Sequence, residues 1–170
     1  MKQLKPQHIG LITGVVMIVA LLVAFYKLHI PFQSKFQWVV YTVYSAGVIW
    51  SLLSFHQSKQ PAKKFKDYFS EGFKMFIAVV LLMVVYTFVF VKMNPQILDS
   101  FIETNNKVLT QEGNRTQAEI TENAAKIRSY TPLVMTMGAM IIYLIIGALV
   151  TLVGAGFLSQ KNIGAGNKAE

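Results

Sequence analysis

The chain carries four long stretches in which apolar residues crowd together without the charged face that a water-soluble helix keeps. Between His8 and Lys27 run eighteen residues with no ionisable group except Tyr26. At 1.5 Å per residue such a run reaches about 27 Å, close to a hydrocarbon core of roughly 30 Å. The second stretch, Phe36 to Phe55, is twenty residues long and the most polar, with Trp38, Tyr41, Tyr44, Ser45, Trp50 and Ser51 among its aliphatics. The third, Met75 to Val91, is seventeen residues, and Lys74 and Lys92 at its ends can snorkel outward to lengthen it. No charge falls between Arg128 and Lys161, and Leu133 to Leu158 is long enough to cross with some tilt. Segments that are apolar all the way round predict helices solvated by lipid, with spans over 9–28, 36–55, 73–92 and 132–158. The first is read as a retained anchor: it exceeds the roughly 7 to 15 apolar residues of a signal peptide, and Phe25-Tyr26-Lys27-Leu28-His29 offers no small-residue cleavage site.

Two connecting segments are patterned as well. In the connector 59–72 and just beyond, Phe65, Phe69 and Phe73 recur every four residues and share one helix face, while the lysines fall mostly elsewhere. That pattern predicts an interfacial amphipathic helix, with Lys59, Lys63, Lys64 and Lys66 among anionic lipid headgroups. The polar insert 94–130 opens on Asn94-Pro95, an N-cap followed by a proline at the first helical position. Ile97, Leu98, Phe101, Ile102, Val108 and Leu109 trace one apolar stripe. After a break at Gly113-Asn114, Ile120, Ala124 and Ile127 trace another. Two helices of about fifteen residues, folded back on each other outside the membrane, satisfy both stripes, although either stripe also suits a partner or the lipid surface. Thr131-Pro132 repeats the capping pair, so the fourth span is expected to begin afresh or bend there. Asn114-Arg115-Thr116 matches the glycosylation triplet, which says no more than surface position.

Composition agrees with lipid as the solvent. Of 170 residues 54% are hydrophobic and 14% charged, where soluble domains carry about a quarter charged. The length suits a single membrane domain, 1–170, and leaves no room for a second, catalytic one. With no cysteine, disulfides, thiolate metal sites and cysteine nucleophiles are excluded. Four crossings put the N-terminus, the second connection and the C-terminus on one face with nine cations and three acidic groups; the other face has seven and five. The density of lysines from Lys59 to Lys66 beside a helix end favours the first face as cytoplasmic, hence both termini inside. Because the cations are split between two faces and no recognition motif organises them, no nucleic-acid partner is expected.

Chemistry is sparse. Ion-coupled transport normally places an ionisable side chain at membrane depth, and none lies inside any predicted span. His8, His29 and His56 fall at helix ends and read as interfacial rather than as metal or proton sites. Ser45 and Ser51 have no histidine or carboxylate companion to activate them. No catalytic residue, cofactor or metal ligand is therefore expected. Gly10 with Gly14, and Gly147 with Thr151 and Ala155, form small-residue pairs at four-residue spacing that let helix backbones approach closely. Tyr41, Tyr44 and Ser45 on the second span, with Tyr86 and Thr87 on the third, either hydrogen-bond across helices or line a narrow polar groove for a lipid headgroup or small molecule. Trp38 and Trp50 look like aromatic-belt residues at opposite ends of the second span.

The lysine-rich connector leading to Tyr68-Phe69-Ser70-Glu71-Gly72-Phe73-Lys74, the Asn94-Pro95-Gln96-Ile97-Leu98 exit from the third span, the polar insert and a glycine-bearing last span ending in Lys161 resemble a family of small uncharacterised membrane proteins common in Bacteroidota, a domain of unknown function. The resemblance covers nearly the whole chain. It implies a bacterial inner-membrane protein and brings no catalytic residues; this chain departs from it in a less acidic insert, where Lys107 and Arg115 interrupt the acidic residues. The expected architecture is all-α: an integral membrane four-transmembrane-helix bundle with an extramembrane, periplasmic helical hairpin between helices 3 and 4. The expected role is a non-enzymatic structural or accessory component acting through contacts with a second copy or a membrane-protein partner. A small transporter or lipid-handling protein using the uncharged polar face of spans 2 and 3 is the alternative.

Overall fold

The computed structural model describes residues 4–30, 34–58, 63–113 and 116–166, and these are helical, with no strand among them. The helices are α1 (Pro6–Tyr26), α2 (Gln37–His56), α3 (Phe65–Met93), α4 (Pro95–Glu112) and α5 (Gln117–Gly166). Four stretches, α1, α2, α3 and Gln117–Gln160 of α5, are long and apolar enough to cross a membrane. Local chemistry sets several boundaries. Pro6 occupies the first turn of α1 behind an extended Lys5, where its missing N–H removes no hydrogen bond. Gly113 ends α4 in the left-handed region, φ 67°, which glycine adopts without a Cβ clash. Thr116 and Glu119 then start α5 with a reciprocal capping box: the Thr116 amide donates to Glu119 Oε2 at 2.7 Å, and the Glu119 amide donates to Thr116 Oγ1 at 3.3 Å.

The structure specifies three boundaries. The amphipathic segment leads directly into the third span, because Phe65 to Phe73 form the opening turns of α3 itself. Of the two outcomes expected at Thr131-Pro132, a fresh start is not seen, since α5 runs unbroken through Pro132. The two continuous helices share a reason: every new helix start leaves four amide N–H groups to satisfy, a burden near lipid, whereas continuing through one proline forfeits a single ladder bond. Asn94 stands at the N-cap position of α4 but makes no side-chain cap there. Its amide instead donates to the Phe90 carbonyl at 2.8 Å, satisfying an acceptor at the end of α3.

The chain divides into two compact units. One holds α1, α2, α3 as far as Met83, and α5 from Ile141; the other spans Val84–Met140. In the first, contacts fix the helix directions. Gly10 of α1 meets Met75 and Ala78 of α3, and Gly14 meets Leu82, so α1 and α3 run parallel. Tyr44 of α2 bonds Tyr143 of α5 while Leu52 meets Gly154, so these two also run parallel. Gly147 meets Phe76 and Thr151 meets Gly72, which sets α5 antiparallel to α3. The result is an up-down-up-down bundle, in which the start of α1, the end of α2, the start of α3 and the end of α5 share one end. Its core is filled by Ile9, Met17, Val40, Val48, Leu52, Met75 and Val79, all buried. Its outer surface is equally apolar: Leu81 is 63% exposed and Val153 and Phe157 73% each, as expected of side chains bathed in lipid rather than water.

The second unit contains the helical hairpin. Leu98 and Ile102 on α4 and Ile120 on α5 are buried, and Arg128 of α5 pairs with Asp99 of α4, so the two stripes face inward. Val108, expected in the first stripe, is half exposed, and the Phe101 side chain lies outside the described residues, as do Asn114 and Arg115 of the glycosylation triplet.

Candidate functional site

The small residues singled out for packing lie in the seams of the bundle. Gly10 and Gly14 are both buried, and a methyl group built on Gly10 would sit 2.5 Å from the Met75 carbonyl oxygen. Gly147 faces Tyr44 and Phe76; Thr151 packs on Gly72; Ala155 is fully buried. Three further glycines do the same work. A Cβ on Gly47 would come within 2.5 Å of Thr13, one on Gly72 within 2.5 Å of Thr151, and one on Gly154 within 2.6 Å of Leu52. Gly72 and Gly154 have no small residue four positions away, and Gly47 has only Ser51, so the pairing that marks Gly10 and Gly147 is weak or missing here. The one signal was Gly72's place in the Ser-Glu-Gly-Phe motif.

Of the residues expected at a polar groove, Tyr41, Tyr44 and Ser45 lie in the first unit and Tyr86 and Thr87 in the second. Tyr44 is fully buried, and its hydroxyl donates to the Tyr143 carbonyl at 3.0 Å. Ser45 donates to the Tyr41 carbonyl of its own helix at 2.8 Å. Tyr41 meets the Tyr143 ring edge-on at 5.8 Å, and Tyr44 meets the same ring at 5.7 Å, so three aromatics close the α2–α5 seam. Tyr86 and Thr87 belong to the other unit, where Tyr86 stacks on Phe90 at 5.2 Å. The physical reason is general: a hydroxyl in an apolar bundle takes whatever acceptor is nearest, and backbone carbonyls are everywhere. Across helices, then, Tyr44 bonds as expected, while Ser45 bonds locally.

At the end of the bundle where α2 passes to α3, a lysine expected among headgroups has turned inward. Lys63 is 8% exposed, and its ammonium donates to the carbonyls of Phe55 at 2.6 Å, His56 at 2.7 Å and Ser58 at 2.6 Å. All three of its protons are taken. A helix C-terminus carries unsatisfied carbonyls and partial negative charge, which a nearby ammonium satisfies better than a distant headgroup does. Burial draws its pKa below the ordinary lysine value. Beside it, His56 Nδ1 and the buried Tyr68 hydroxyl are 2.6 Å apart, tying the last turn of α2 to the first turns of α3. Lys64 and Lys66 stay exposed, and the Lys64 amide donates to Asp67 Oδ2 at 2.9 Å. Lys59 lies outside the described residues. Phe65, Phe69 and Phe73 form a ladder with ring centroids 6.1 and 6.2 Å apart, its outer members exposed.

On the hairpin, an open groove of about 550 Å³ follows one face of α4 past Asp99, Ile102, Glu103, Asn106 and Lys107. Its charges are already matched. Glu103 pairs with Lys107 at 2.7 Å and Asp99 with Arg128, while on α5 Glu122 pairs with Lys126 at 2.7 Å. Among the described residues no group of three or more histidine or acidic side chains is placed to hold a metal ion.

None of the curated proteins and none of the solved structures matches this chain. A family model does, over residues 8–160, which takes in every helix from α1 to the end of the apolar part of α5. The chain therefore belongs to the family described as proteins of unknown function, DUF4199.

Proposed function

We propose that this protein is a non-enzymatic, multi-pass component of a bacterial inner membrane, of the kind the sequence resembles in Bacteroidota, with both termini cytoplasmic and a periplasmic hairpin. It acts by structural or accessory contacts with a second copy or with another membrane protein. One observation carries the reading: a fully buried tyrosine and glycines of the bundle serve helix packing. The Tyr44 hydroxyl is bonded to Tyr143 in a fully buried site, and six glycines bring backbones into contact along the helix seams. Anionic lipid is the proposed partner at the cytoplasmic end, where exposed Lys64 and Lys66 flank the phenylalanine ladder that continues into the third span.

Crosslinking in native membranes followed by identification of what is captured tests this. Recovery of a defined membrane partner or of a crosslinked dimer is expected. Substrate movement in reconstituted vesicles, abolished by Tyr41→Phe with Tyr44→Phe, would replace the reading with transport.

A further inference from the structure

We propose that Ser51 and Thr151 together hold one buried water molecule in the layer where α2, α3 and α5 meet. Ser51 is 2% exposed and Thr151 fully buried, and neither hydroxyl oxygen makes a hydrogen bond. Elsewhere in this chain helical hydroxyls close on the carbonyl four residues back: Thr42 on Trp38 at 2.8 Å, Ser45 on Tyr41 at 2.8 Å, Thr136 on Pro132 at 2.7 Å. Ser51 and Thr151 have Gly47 and Gly147 at that position and do not use them.

Because α2 and α5 run parallel, the Tyr44–Tyr143 bond on one side and the Leu52–Gly154 contact on the other put Ser51 and Thr151 at neighbouring levels of their helices. Gly72 of α3 completes the layer against the Thr151 methyl. An unpartnered hydroxyl inside an apolar bundle is costly, and two in one layer point to a shared partner that is not protein. Water fits the chemistry: it requires two to four polar neighbours, and each hydroxyl both donates and accepts. A hard cation takes about six or more oxygen ligands, which two hydroxyls do not supply. The site goes beyond the proposed packing role by making that packing depend on a bound molecule.

The test uses the full chain in lipid nanodiscs, with threonine methyl groups labelled in a deuterated background and magnetisation transferred from water. A cross-peak from water to the Thr151 methyl is expected, and it should vanish in Ser51→Ala. Thr136, whose hydroxyl is closed on Pro132, is the internal blank. In detergent, the shape-conserving Thr151→Val should lower Tm, and the Ser51→Ala, Thr151→Val double variant should lose no more than the worse single. Absence of the wild-type cross-peak, its persistence in Ser51→Ala, or a Tm that holds or rises in Thr151→Val overturns the proposal.

Discussion

Alanine at Gly10 would place a methyl carbon 2.5 Å from the Met75 carbonyl oxygen and 2.9 Å from the Ala78 Cβ. A carbon rests against a carbonyl oxygen at about 3.3 Å, so α1 and α3 must part by roughly 0.8 Å. Both obstacles are backbone or Cβ atoms, so no rotamer change relieves them. A gap of that size forfeits about a quarter to a half of each dispersion contact along the seam, which includes the Gly14–Leu82 contact one turn on. Overpacking of this kind costs about 1 to 3 kcal/mol, against which alanine returns about 1 kcal/mol of helix propensity. A net loss of up to about 2 kcal/mol is expected. Gly156 is the control: a Cβ there meets nothing within 4 Å, so Gly156→Ala should be neutral or stabilising by up to about 1 kcal/mol. Unfolding of both variants in one detergent, followed by circular dichroism, reads the difference. Equal shifts, or a more stable Gly10→Ala, would refute the claim that backbone contact holds α1 to α3.

Tyr44→Phe removes the bond to Tyr143 without changing shape and should destabilise by about 0.5 to 1.5 kcal/mol in the same assay. Lys63→Met uncaps α2, and amide exchange at Phe55 to Ser58 should speed up while the middle of α2 is unchanged; uniform exchange across α2 would contradict the cap. The Asp99–Arg128 pair is about half exposed at both partners, so a double-mutant cycle should return under about 1 kcal/mol. The hairpin's surface pairs contribute to its pH response. Glu103 is held below the ordinary carboxylate value by its bond to Lys107, so its contribution is present at neutral pH and lost as pH falls through the lowered value. Lys126 is raised by its bond to Glu122, so its contribution persists at neutral pH and is lost as pH rises past the raised value. Helicity of the hairpin that fell between those limits would contradict both assignments.

The four apolar helices were legible because lipid imposes a length and a composition that twenty-odd residues advertise plainly, as Leu133 to Leu158 does. Caps were less legible. Asn94 does stand at a helix start, but its side chain closes the helix before it, and Thr131 lies inside an unbroken helix, because the competing acceptors and the saving in helix ends depend on neighbours. Lysines mislead in a similar way: Lys63 and Lys64 are adjacent and chemically identical, and the proximity of the α2 C-terminus alone sends one inward and leaves the other in solvent. Gly47 and Gly154 were silent because what matters about them is the helix opposite.

The Tyr44 hydrogen bond joins residues 99 positions apart. At about 5 to 20 residues per second, a ribosome takes on the order of 5 to 20 s to deliver the second partner after the first. For that interval the tyrosine hydroxyl of a nascent chain has no native acceptor, and the seam between α2 and α5 cannot close. Chains released before Tyr143 emerges should therefore be cut by added protease more readily than the full-length protein.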